Sequence, residues 1–270
     1  MSLKGKTIAI TRPEGQAFEL VQFISKLGGK PYVAPTVEIR PPKNIRQVKA
    51  LIYKIISGQV DYVIFMSVNG VVGLIETSEK AELKSKLLKA LNRAKIMAVG
   101  PKTKTAIKNY GVKVGITPSK FSSEGIIERL GNMNLRGKTV AIPRTREVDP
   151  YLRNKLEGMG AHVLETTVYE STSPSDESKM LKLLNDMFDG KIDAITFTSS
   201  ATARNLFKTA YNHGLGNKLQ KCLRGKVVVA AIGPMTERTL ENLGARVDVV
   251  SKEYTVEAMM NELIKYLRKK

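Results

Sequence analysis

The sequence predicts an α/β protein of two doubly wound parallel-sheet domains, and three observations predict it. The first is an internal duplication. Residues Lys4 to Pro41, KGKTIAITRPEGQAFELVQFISKLGGKPYVAPTVEIRP, are answered by RGKTVAIPRTREVDPYLRNKLEGMGAHVLETTVYESTSP from Arg136 to Pro174. In the same register DYVIFMSVNGVV from Asp61 meets DAITFTSSATAR from Asp193, and MAVGPKTKTAIKNYGVKV from Met97 meets AAIGPMTERTLENLGARV from Ala230. These pairs lie 132 and 133 residues apart (193 − 61 and 230 − 97). Such a period is too long for a solenoid and fits a duplicated domain. The second observation is that each half alternates short β-branched runs with helical periodicity. The third is that Ser, Thr, Gly-Pro and Arg recur where those runs end, at matching places in both halves.

The predicted strands of the first half are Thr7–Thr11, Lys30–Val33, Tyr62–Phe65, Ile96–Val99 and Val112–Ile116. Those of the second are Thr139–Pro143, His162–Leu164, Ala194–Phe197, Val227–Ile232 and Arg246–Val249. Between them lie helices such as Gln16–Leu27, where Leu20, Phe23, Ile24 and Leu27 share one face, Ile45–Ile56 and Glu257–Leu267. Strands alternating with helices imply parallel sheets with right-handed crossovers. Five strands per domain suit the flavodoxin-like, doubly wound arrangement. Ala34–Arg40 and Thr166–Thr172 are β-prone, are followed by Pro41 and Pro174, and read as edge strands or as linkers.

Composition narrows the function classes. The 270 residues, 42% hydrophobic and 26% charged, suffice for two ordinary cores. One cysteine, Cys222, excludes an internal disulfide and predicts a reducing, cytoplasmic setting. No apolar run approaches the ~18 residues of a membrane span, and MSLKGKTIAI enters a strand without a signal-peptide apolar region. The net charge of +19 calls for an anionic partner or a solvated lysine-rich face. From Lys80 to Lys108 nine bases accompany a single acid, Glu82. With 6% aromatics, no Trp and no zinc-finger or RNA-recognition pattern, nucleic acid has charge alone in its favour.

In an open α/β sheet, ligands bind outside the carboxyl ends of the strands, where helix N-termini offer N–H donors and partial positive charge. The candidate substrate-binding residues are therefore Arg12 and its twin Arg144, Ser67 with Ser199 and Ser200, Gly100 with Thr103, and Gly233 with Thr236. Proline after glycine suits a first helical turn. Ordinary capping by Ser or Thr accounts for any one of these turns. Six in register across a duplication favour one large anionic ligand. His162 and His213 lack triad or metal-ligand neighbours, there is no P-loop, and TRPEGQ lacks the dinucleotide glycines. No carboxylate pair stands out for acid–base work, so an enzyme of this kind would hold its substrate in shape.

These residues together resemble the uroporphyrinogen-III synthase family. The resemblance spans essentially the whole chain and is carried by ITRPEGQA with the following KLGG, IFMSVNGV, MAVGPKT, TTVYEST, ITFTSSAT and AAIGPMTERTLENLG. It implies two α/β domains, 1–34 with 173–270 and 41–167, joined by a two-stranded β linker formed by 35–40 and 168–172. It implies that hydroxymethylbilane loses its hydroxyl as water, inverts its last pyrrole ring through a spiro intermediate and closes, with no cofactor or metal. Tyr169 is then the candidate catalytic residue, its phenol donating to the departing hydroxyl; the other reading is a tyrosine packed in the ladder. Ser67, Ser199, Thr103 and Thr236 fall on family positions that line the cleft, whereas Arg12 and Arg144 come from charge and location. Met66 and Met235 stand where the family often carries hydroxyl residues. The resemblance also implies a cytoplasmic monomer that takes its substrate by transient contact with the preceding enzyme, hydroxymethylbilane synthase, and binds neither nucleic acid nor membrane. The competing expectation is a non-catalytic, two-lobed binder of an anionic small molecule.

Overall fold

The computed structural model describes residues 2–146 and 149–269. In chain order the strands are β1 (Thr7–Ile10), β2 (Lys30–Val33), β3 (Glu38–Arg40), β4 (Tyr62–Phe65), β5 (Lys95–Ala98), β6 (Thr139–Arg144), β7 (His162–Thr167), β8 (Glu170–Thr172), β9 (Ala194–Phe197), β10 (Val228–Ala231) and β11 (Val249–Val250). The helices are α1 (Phe18–Lys26), α2 (Ile45–Ile56), α3 (Val68–Lys80), α4 (Lys84–Leu91), α5 (Pro101–Asn109), α6 (Ser123–Leu130), α7 (Tyr151–Gly158), α8 (Ser178–Phe188), α9 (Ser200–Asn212), α10 (Gly216–Gly225), α11 (Pro234–Asn242) and α12 (Val256–Lys269). The chain divides into two compact units, 1–38 with 172–270, and 39–171.

The first unit holds a five-stranded sheet in the order β11-β10-β9-β1-β2, with every pairing parallel. Renumbered along the unit this is the order 5-4-3-1-2, the doubly wound flavodoxin-like topology expected from the sequence. Successive β1 residues feed opposite faces. Ala9 joins a core built with α8, α9 and α10, while Ile8 and Ile10 join one built with α1 and α12.

The second unit holds a four-stranded parallel sheet in the order β5-β4-β6-β7. Val63 and Phe65 of β4 pack toward α2 and α3, and Tyr62 and Ile64 toward α6 and α7. Helices cover both faces of each sheet, as parallel strands require. Each sheet mixes the two sequence repeats: β1 sits beside β9, and β6 beside β4. A separate two-stranded sheet pairs β3 with β8.

Two predicted strands and both β-prone segments differ; of Ala34–Arg40 only Glu38–Arg40 is a strand. Val112–Ile116 contributes a single parallel bridge, Met97 to Ile116. Gly111, at φ +75°, precedes the run and Gly115 lies within it, and together they leave little regular extended chain to pair. Arg246–Val249 shortens and shifts to Val249–Val250. Of Thr166–Thr172, the first two residues extend β7 and only Glu170–Thr172 forms a strand of its own.

One device recurs in both units. Asp61 accepts from the Thr139 N–H at 2.9 Å and from Lys138 Nζ at 3.0 Å, tying the start of β4 to that of β6. Asp193 does the same for β9 and β1, through the Thr7 N–H at 2.8 Å and Lys6 Nζ at 2.7 Å. Each aspartate satisfies an edge-of-strand N–H and fixes the register there. Cys222 is buried in the core, where desolvation pushes its thiol up.

Candidate functional site

In the 39–171 unit, β4 runs into Ser67, the N-cap of α3. Ser67 Oγ accepts from the Gly70 N–H at 3.0 Å, satisfying one of the free donors at the helix start. The same oxygen lies 3.2 Å from the Tyr169 hydroxyl. Tyr169 follows β7, and the preceding Val168 N–H donates to the Arg144 carbonyl at 2.9 Å. Tyr169 is 9% exposed, so its ring packs inward.

Two glycines one turn apart on α3 make this approach possible. A Cβ on Gly70 would stand 2.6 Å from the Pro143 carbonyl oxygen, and one on Gly73 would stand 2.4 Å from that of Val168. Glycine is poor in a helix interior, and here it is required by the strand ends laid against the helix. Gly73 borders a small hollow that Tyr169, Asn69, Glu76 and Lys80 also line.

Gly100 is the N-cap of α5, with Pro101 at the first helical position and Thr103, 4% exposed, two residues on. Arg144 ends β6. Its Nη1 donates to Glu165 Oε1 at 2.9 Å across the β6–β7 ladder, and its Nε is buried without a hydrogen-bond partner. Its charge is thus held within its own sheet.

In the other unit Ser199 caps α9, accepting from the Thr202 N–H at 3.3 Å. Ser200 Oγ donates to the Met235 carbonyl at 3.1 Å and accepts from Thr239 Oγ1 at 2.8 Å, so it ties the start of α9 to α11. Gly233 caps α11, with Pro234 and a buried Thr236 behind it. Arg12 follows β1. Its Nη1 is buried and makes no hydrogen bond, and Glu19 Oε2 stands 3.8 Å away. Burial pulls this guanidinium below its ordinary pKa, and Glu19 opposes the shift. A half-buried guanidinium held only by a long ion pair keeps a donor that an anion could take.

The sequence-derived residues thus fall at strand ends in both units. Within the 39–171 unit Ser67 and Tyr169 touch. Gly70, Gly73 and Glu165 went unread in the sequence. The two glycines had a signal, since VNGVVG places them three apart in a helix; Glu165 had none. Among the described residues no three His, Cys, Asp or Glu side chains gather as a metal site, and no helix is long and apolar enough to cross a membrane.

Each unit is thus a doubly wound sheet whose strand ends lead into helix N-termini rich in backbone N–H donors. The sequence profile described as "Uroporphyrinogen-III synthase HemD" matches residues 19–261. The chain belongs to the uroporphyrinogen-III synthase family. It is 36% identical over 258 residues to a Methanothermobacter thermautotrophicus protein provisionally named a uroporphyrinogen-III synthase, covering 95% of this chain and 96% of that one. It is 26% identical over 251 residues to the uroporphyrinogen-III synthase of Chlorobaculum parvum, covering 92% and 94%. A crystal structure of a mutant uroporphyrinogen III synthase from the extreme thermophile Thermus thermophilus shares the fold, with a TM-score of 0.68 at 21% identity, over 98% of this chain and 100% of that one.

Proposed function

We propose that this chain is a cyclising hydro-lyase that converts hydroxymethylbilane to uroporphyrinogen III, with loss of water and inversion of the last pyrrole ring. The observation that carries the chemistry is the relay at the head of α3. The Gly70 N–H donates to Ser67 Oγ, and Ser67 Oγ lies within hydrogen-bonding distance of the Tyr169 hydroxyl. With Ser67 donating to Tyr169, the phenolic proton is free to point at the departing hydroxyl of the substrate. Hydrogen bonds in series strengthen one another, and the positive end of α3 lies at the head of this one. The phenol therefore donates more strongly than an isolated one.

Binding falls to the strand-end turns. Acetate and propionate groups suit the starts of α5 and α11, which lack a side-chain cap, and the Nη1 of Arg12, which makes no hydrogen bond. Ring closure without inversion is the easier course, so the protein's main work is positioning. The pairing of β3 with β8 supports reading 35–40 and 168–172 as the connection between domains 1–34 with 173–270 and 41–167. The single buried thiol supports a cytoplasmic setting. Incubation with freshly prepared hydroxymethylbilane tests the reading: the expected product is the type III isomer, and type I alone would reject it.

A further inference from the structure

Phe121 and Tyr254 occupy equivalent places in the duplication: 254 − 121 gives 133, as does 233 − 100 for the glycines that begin α11 and α5. Both rings are largely in solvent, 60% and 66% exposed. Each precedes a helix N-cap, Ser122 accepting from the Gly125 N–H at 3.2 Å and Thr255 from the Ala258 N–H at 3.1 Å. Each also lies over the glycine of its own unit. A Cβ on Gly100 would meet Phe121 Cγ at 3.2 Å, and one on Gly233 would meet Tyr254 Cδ1 at 2.5 Å. The two glycines have φ of −165° and 174°, extended backbone that any residue adopts. A side chain at either position would press on the ring, so the glycine lets the ring lie close, while the turn itself does not call for it.

An apolar residue before an N-cap commonly staples onto the fourth helical residue. Here those residues, Ile126 and Met259, are fully buried in their cores, while the rings stay out in solvent. Tyr254 also adopts φ +54°, a left-handed conformation that a bulky side chain rarely takes. Strain of this kind persists where the surroundings demand it, most often at ligand sites.

We propose that Phe121 and Tyr254 are each, within its own unit, a stacking platform for a carboxylate-bearing pyrrole ring; this rests on the reaction proposed above. A pyrrole bearing carboxylates is a flat, electron-rich ring with anionic arms. Beside each platform starts a helix without a side-chain cap, so one face takes the ring and the adjoining turn takes an arm.

The test replaces each ring by leucine, singly and together, in the full chain. Phe121→Leu and Tyr254→Leu are each expected to raise KM about three- to ten-fold and to increase the fraction of type I product, with kcat changed less than KM. Phe121→Tyr and Tyr254→Phe are expected to restore wild-type values. Unchanged KM and isomer ratio in the double leucine variant would overturn the proposal. Equilibrium binding of uroporphyrin III, followed by porphyrin absorbance, separates the two readings. If the wild type makes no type III isomer, the reaction fails; if the double variant binds the porphyrin as tightly as wild type, the platforms fail. A shift in oligomeric state on leucine substitution would mark the rings as subunit contacts and likewise overturn the proposal.

Discussion

Tyr169→Phe separates chemistry from architecture more cleanly than any other change. It removes one oxygen and leaves the ring, whose packing accounts for the residue's burial. The lost protein contact is the 3.2 Å approach to Ser67 Oγ. Ser67 keeps the Gly70 N–H at 3.0 Å, so the cap on α3 survives. Stability should therefore fall by about 1 kcal/mol or less, a few degrees in Tm at most. Removing a positioned proton donor lowers turnover by roughly 100- to 10,000-fold. The assay is single-turnover conversion of hydroxymethylbilane alongside thermal unfolding of the same preparation. Turnover within two-fold of wild type would show that Tyr169 is not the donor. A collapse of Tm in step with activity would show that it is a packing residue.

Gly73→Ala places a methyl 2.4 Å from the Val168 carbonyl oxygen, where only backbone can yield, so it should cost roughly 1–3 kcal/mol and lower kcat by displacing Tyr169. Gly158→Ala, which meets nothing within 4 Å, is the control for both measurements. Arg12→Ala should raise KM about ten-fold or more while leaving stability unchanged or slightly higher, because the burial cost of an unbonded Nη1 disappears. An unchanged KM would remove Arg12 from the site. The Asp61 carboxyl is held below its ordinary range by the Thr139 N–H first and Lys138 second. Its contribution is complete above the unfolded value of about 4 and is lost as pH falls through the lower folded one. The urea midpoint should fall on acidification below about pH 4, and less steeply in Asp61→Asn; equal slopes would contradict the clamp.

Much of the fold is written in periodicity. Ile45–Ile56 is legible to the residue from its regular apolar face, and in the structure Asn44 caps it. The strands β1, β4 and β9 announce themselves as β-branched runs bounded by charge and hydroxyl. What periodicity does not carry is the exchange of segments between sheets. β1 pairs with β9 through the same Lys–Thr and Asp partners that join β6 to β4, so the repeats are chemically interchangeable and either pairing satisfies the pattern. Val112–Ile116 shows the opposite failure, a β-prone composition overruled by the glycines before and within it. At the site, Ser67 and Tyr169 were legible as residue types, but their contact depends on Gly70 and Gly73 admitting backbone against a helix. The partner of Arg144, Glu165, lies across a strand ladder that no local sequence pattern reveals.

The most direct measurement is the identity of the tetrapyrrole released when hydroxymethylbilane meets the wild-type protein. A protein that bends this polyacid along its strand ends until the last ring turns over releases uroporphyrinogen III in excess of the spontaneous product. Release of the uninverted isomer alone, at the rate seen without protein, would contradict it.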